Sequence, residues 1–113
     1  MEVKRGEIYW VDWSPGRGSE QSGTRPALIV QNNVGNKFSP TTIVASVSTS
    51  IGKAYPFKVR CNHEESGLSK DGLIDLANIM TVDKARLVKR AGELSAYKMA
   101  EVDTAIKASL GLE

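Results

Sequence analysis

The residues of this chain whose types and spacing could do chemistry gather around Arg25. The stretch GSEQSGTRPALIVQN, Gly18 to Asn32, sets a polar loop with one carboxylate, Glu20, against an Arg-Pro pair that opens an apolar strand. Gly16, Gly18 and Gly23 permit backbone angles closed to other residues, and Pro26 removes an N–H where the strand begins. Arg25 is therefore expected at the fixed base of a loop, where a planar guanidinium suits a positioned anion. A second polar set ends the run TTIVASVST: Ser48, Thr49 and Ser50, followed by Lys53. Hydroxyls at a strand end often serve only the turn backbone, and Arg25 alone could be an ion-pair partner. Combined with Ser19, Glu20 and Gln21 in the loop, these groups offer donors, acceptors and positive charge for reading phosphates or bases.

The missing motifs narrow the chemistry further. There is no phosphate-binding Gly-Lys-Ser/Thr loop, no dinucleotide fingerprint and no zinc-hydrolase histidine pair. His63, the single histidine, lies in the charged turn CNHEESG, which favours a surface role. Cys61, the single cysteine, can form no internal disulfide and reads as a small, partly buried strand residue. No metal cluster of His and Cys can be built from this set, so neither a metal nor a cofactor is expected. Any catalysis has to draw on arginine, hydroxyl, carboxylate or backbone groups.

These groups need a scaffold, and 113 residues are enough for one domain, 1–113, with one core. No segment is apolar for long enough to span a membrane, and MEVKRGEIYW is not a signal peptide, so the cytoplasm is the expected compartment. The net charge of +2 is unevenly spread: residues 1–60 hold eight Lys/Arg against four Asp/Glu, and residues 61–113 hold seven against nine. The basic half carries the loop, which favours a polyanionic partner there.

Hydrophobic periodicity gives a mostly β chain. GEIYWVDW places Ile8 and Trp10 on one side and Tyr9, Val11 and Trp13 on the other. RPALIVQN and TTIVASVST are short β-rich runs, and YPFKVRC resumes alternation. GLIDLANIMTV opposes Leu73, Asp75, Ala77 and Ile79 to Ile74, Leu76 and Met80. These five strands, with a further one near VKRAGEL after a turn at VDKARL, predict a small barrel. One long helix is expected in LSAYKMAEVDTAIKASLG, with Ser95 as N-cap, Met99, Val102, Ile106 and Leu110 as its apolar stripe, and Gly111 ending it.

The runs KRGEIYWVDWSPGRGSEQSGTRPALIVQN, VASVSTSIGKAYPFKV and GLIDLANIMTVDKARL together resemble the MazF/PemK/Kid family of toxin endoribonucleases from bacterial toxin–antitoxin modules. The likeness covers almost the whole chain, and its most specific element runs from R-G-E to G-S-E-Q-x-G-x-R-P. It implies an SH3-like β-barrel with a C-terminal helix, usually a homodimer. It also implies metal-independent cleavage of single-stranded RNA, with the ribose 2′-hydroxyl as nucleophile, and control by a cognate antitoxin with an acidic disordered tail. Arg25 matches the family's essential arginine. The family's threonine falls on Ser48 when counted from IVA, and on Thr49 when counted back from YPF. Ser19, Glu20, Gln21 and Lys53 fall where RNA contacts are expected, with Glu20 ranked as a binding residue before a base. Asn78 stands where relatives place a base-reading amide, but Ala77 and Met80 replace polar residues of relatives, so no base preference is implied.

Two other classes fit parts of the sequence. A gyrase-binding toxin of the same superfold would not need Arg25 together with Ser48 and Thr49. A non-catalytic SH3-like interaction module would use Trp13 and Tyr55 as a peptide groove.

Overall fold

The computed structural model describes residues 2–13, 23–49 and 52–112. Its strands are β1 (Glu7–Asp12), β2 (Thr24–Ile29), β3 (Thr41–Ser48), β4 (Lys58–Cys61), β5 (Gly72–Asp83) and β6 (Leu87–Glu93). They form one antiparallel sheet in the order β4-β5-β3-β2-β1-β6. The alternation predicted for β1 is real and divides the apolar residues between two clusters. Ile8 joins Leu28, Ala45, Val47, Val59, Ile74 and Leu76 on one face, with Trp10 packed alongside. Tyr9 and Val11 join Ala27, Ile29, Val44, Val82 and Leu87 on the other, with Trp13 and Met80 at the margin.

Helix α3 (Ala96–Leu110) covers the first face, as its stripe predicts. Ser95 accepts the Lys98 backbone N–H at its start, and Gly111 ends it at φ 73°, in the left-handed region where only glycine is unstrained. Val102 and Ala105 are buried in the cluster, and Met99 and Ile106 flank it; Leu110, expected on the stripe, is exposed. Arg5 ties this helix to the sheet by donating to the Val30 carbonyl at 2.8 Å and to Asp103 at 2.6 Å. Among the described residues, no helix is long and apolar enough to cross a membrane.

Two short helices were not predicted, because a turn or two is too short to show a period. In α1 (Asn33–Phe38), Asn36 is buried, accepting from Thr42 and Gln31 and donating to the Gln31 carbonyl, and Lys84 donates to its backbone oxygen. This knot fixes the β2–β3 connection. In α2 (His63–Ser66), the expected turn becomes one helical turn capped by Asn62.

The predicted barrel is not closed by a strand ladder, since β4 and β6 remain the two edges. The segment after β4 closes the gap by packing. A Cβ added to Gly67 (φ 77°) would lie 1.8 Å from the Ala91 carbonyl oxygen, and one added to Gly92 would lie 2.3 Å from the Glu65 carbonyl oxygen. Backbone therefore meets backbone where any side chain would collide. Ser95 N–H also donates to Glu65 at 2.7 Å across this seam.

One predicted alternation fails. The β3–β5 register runs Ala45 against Ile79 and then Ser46 against Asp75, so Leu76 to Asn78 bulge out. The bulge shifts the phase, and Ile79 joins the cluster of Ile74 and Leu76 while Met80 goes to the opposite one. Cys61 is wholly rather than partly buried, and burial pushes its thiol up to about 11, so it stays protonated.

Candidate active site

The site lies where the sheet divides. Strands β2 and β3 pair at only three positions, Ala27 with Ser46, Leu28 with Ala45 and Ile29 with Val44. Beyond these, β2 stays with β1 (Arg25 opposite Val11), and β3 stays with β5 (Ser48 opposite Leu73). A cavity of about 660 Å³ opens at this division, lined by Arg25 on the β2 side and by Ser46, Ser48 and Thr49 on the β3 side. Trp10, Trp13, Pro26, Leu68 and Met80 give it apolar walls, and Asn78 reaches it from the β5 bulge.

Each polar group is placed by a local cause. Arg25 is exposed and, among the described residues, makes no ion pair and no side-chain hydrogen bond. Counted on from Ala27 and Ser46, Arg25 and Ser48 have the same parity, and Thr49 follows in the bend where β3 has ended. The bulge brings the Asn78 Nδ2 onto the Ser46 Oγ, to which it donates at 3.0 Å. That bond uses one amide hydrogen, and the carbonyl oxygen of the same side chain remains chemically able to accept.

A fixed cation facing hydroxyls across an apolar-walled cleft can hold a phosphodiester by its non-bridging oxygens and seat a base against the indoles. Of the predicted site residues, Arg25, Ser48, Thr49 and Asn78 come together here. Lys53 does not: it is exposed on the β3–β4 loop, outside the lining. Ser19, Glu20 and Gln21 lie outside the described residues.

Known proteins resemble this chain in sequence and in fold. Residues 4–110 match the PemK-like, MazF-like toxin family of type II toxin-antitoxin systems. A protein named endoribonuclease MazF from Staphylococcus epidermidis is 48% identical over 111 residues, covering 97% of this chain and 92% of its own. The chain belongs to the MazF/PemK toxin family. Among solved structures, an endoribonuclease in complex with its cognate antitoxin from a mycobacterial species is similar over 98% of this chain and 97% of its own, at 26% identity and a TM-score of 0.82. A MazE-MazF structure from Deinococcus radiodurans is similar over 100% and 99%, at 25% identity and a TM-score of 0.83.

Within this MazF/PemK site, the sequence reading missed Ser46 and, of the apolar walls, Trp10, Pro26 and Leu68, although it had named Trp13 as a groove residue. Ser46 was within reach of the strand period, since it lies two residues before Ser48 on the same face. Trp10 and Pro26 could not be found that way, because they are cross-strand partners whose register only the fold reveals.

Proposed function

We propose that this endoribonuclease toxin cuts single-stranded RNA in the cavity between the diverging ends of β2 and β3, in the cytoplasm and with no metal ion or cofactor. The observation that carries the reading is the Arg25 guanidinium, without an ion pair among the described residues, lining one cavity with Ser48 and Thr49. RNA brings its own nucleophile. The 2′-hydroxyl oxygen bonds to the adjacent phosphorus as the bond to the leaving 5′-oxygen breaks. One proton leaves the 2′-hydroxyl and one is delivered to the departing oxygen, so the products are a 2′,3′-cyclic phosphate and a 5′-hydroxyl. Such a reaction needs a held phosphate and stabilised charge on its oxygens more than it needs a protein nucleophile. Arg25 serves both needs with parallel N–H donors to the non-bridging oxygens, and Ser48 orients the phosphate or the 2′-hydroxyl.

The test is incubation of purified protein with a long single-stranded RNA in EDTA, with mapping of the new ends. Cuts bearing cyclic phosphates and 5′-hydroxyls are expected. Arg25→Lys is expected to lose most of the activity while folding normally, because an ammonium lacks the paired donors; the loss is about 3–4 kcal/mol of transition-state stabilisation. A folded Arg25→Lys protein that cuts at the wild-type rate would remove Arg25 from this role. RNA left intact by the wild type would return the chain to a binding toxin or an interaction module.

A further inference from the structure

A second cavity, of about 330 Å³, lies under the β3–β4 loop and is lined by Gly52, Ala54, Lys58, Arg60, Asp71, Gly72 and Leu73. It shares no lining residue with the first. The register of the sheet nonetheless joins the two. Ser48 pairs with Leu73, and Leu73 pairs with Arg60; one step along, Ser46 pairs with Asp75, and Asp75 pairs with Lys58. Directly paired residues point to the same face, so two parallel rows run from the hydroxyls of the cleavage cavity to the cations of the second one. Two inter-strand spacings put the Arg60 Cα about 10 Å from the Ser48 Cα.

The cations at the far end of these rows are available. Arg60 is exposed and, among the described residues, forms no ion pair, and Lys58 has only the Tyr55 ring as a charge partner, 5.4 Å from its centroid. Both nearby carboxylates hold backbone groups instead: Asp71 accepts the His63 N–H at 2.9 Å, and Asp75 accepts the Ala77 N–H at 3.0 Å. Beside the cavity, Tyr55 is 44% exposed and stacked on Phe57, with ring centroids 5.1 Å apart. Cations interleaved with an exposed aromatic ring are the elements of a single-strand nucleic-acid track.

We propose that Lys58, Arg60 and Tyr55 form an accessory subsite for the RNA flanking the cut, with the two cations on backbone phosphates in the second cavity and the Tyr55 ring against a neighbouring base. This rests on the RNA-cleaving reading above. The subsite lengthens the footprint on one side of the cleaved bond and adds affinity for long RNA over short. An acidic peptide could use the same charges, but the rows lead directly from the hydroxyls that line the cleavage cavity, which favours the continuing RNA strand.

The experiment compares wild type with Lys58→Gln/Arg60→Gln, using RNA made uncleavable by a 2′-deoxy substitution at the mapped cut. Three lengths are titrated: a long RNA, one shortened on the 5′ side and one shortened on the 3′ side. For the long RNA the variant is expected to bind roughly tenfold more weakly. Its slope of log affinity against log salt should be shallower by about 1.4, the value for two single-strand phosphates. On one of the shortened RNAs the two proteins should bind alike. Equal affinity for the long RNA overturns the subsite, and so does a defect of the same size on all three lengths. A defect confined to binding of an acidic peptide assigns the cavity to a protein partner and also overturns it. Wild-type protein that cuts no RNA defeats the functional reading itself, whereas normal cutting with unaltered affinity in the variant defeats only the subsite.

Discussion

At the level of single residues, the cleft sets two adjacent hydroxyls in competition for one role. Ser48 and Thr49 both line it, but only Ser48 is held in the β3 ladder, with the parity of Arg25, while Thr49 follows in the bend. Ser48→Ala is therefore expected to slow single-turnover cleavage at saturating RNA far more than Thr49→Ala, by about 10²-fold for one lost oriented donor in the transition state. The reverse ranking would transfer the role to Thr49. Arg25 was legible in the sequence because its signal is local: glycines before it, a proline after it and a β-rich run beyond. The walls were not legible, because Trp10 meets Pro26 only through pairing of β1 with β2. Lys53 stands exposed outside the cavity lining, since a loop residue's direction is not encoded in its spacing from a strand end.

Among the elements, the outcome follows how each one announces itself. The six strands and α3 were readable from period and caps, and α3 begins and ends on the predicted Ser95 and Gly111. The β5 bulge was not, because the alternating run from Leu73 to Met80 contains no mark of where its partner strand skips three residues. That bulge carries Asn78 to Ser46, so the missed irregularity is also the one that builds the site. The seam between α2 and β6 was equally invisible, although both glycines that make it were in plain sight. Gly92→Ala tests it, since the new methyl would be forced within 2.5 Å of the Glu65 and Ser66 carbonyl oxygens. Overpacking of this kind is expected to cost about 1–3 kcal/mol, read as a lower urea midpoint with an unchanged slope. A midpoint equal to wild type would mean that the seam is loose and that the edges are held by other contacts.

For the whole molecule, a cleft that attracts phosphates attracts carboxylates as well. A cutter with a preformed site has no internal off state, and structural relatives have been solved with an antitoxin bound. The acidic disordered tail of such an antitoxin is expected to compete with RNA on this chain, with inhibition weakening as salt rises. Titration of a synthetic acidic tail against labelled RNA checks this, and simultaneous saturation by both would place neutralisation at a remote surface. The divided sheet has a mechanical corollary. Strands β6, β1 and β2 form one jaw, strands β3, β5 and β4 the other, and the pivot is the three residue pairs from Ala27–Ser46 to Ile29–Val44. Arg25 and Ser48 each ride two residues beyond that pivot, on lever arms of about 6–7 Å, so a rotation of about 10° moves either tip by about 1 Å. A displacement of that size can cost about 10²-fold in rate. The stiffness of three paired positions, of which only Ser46 lines the cleft, thus bears on how well the jaws close, and a ligand wedged at the pivot would disarm the molecule without touching Arg25 or Ser48.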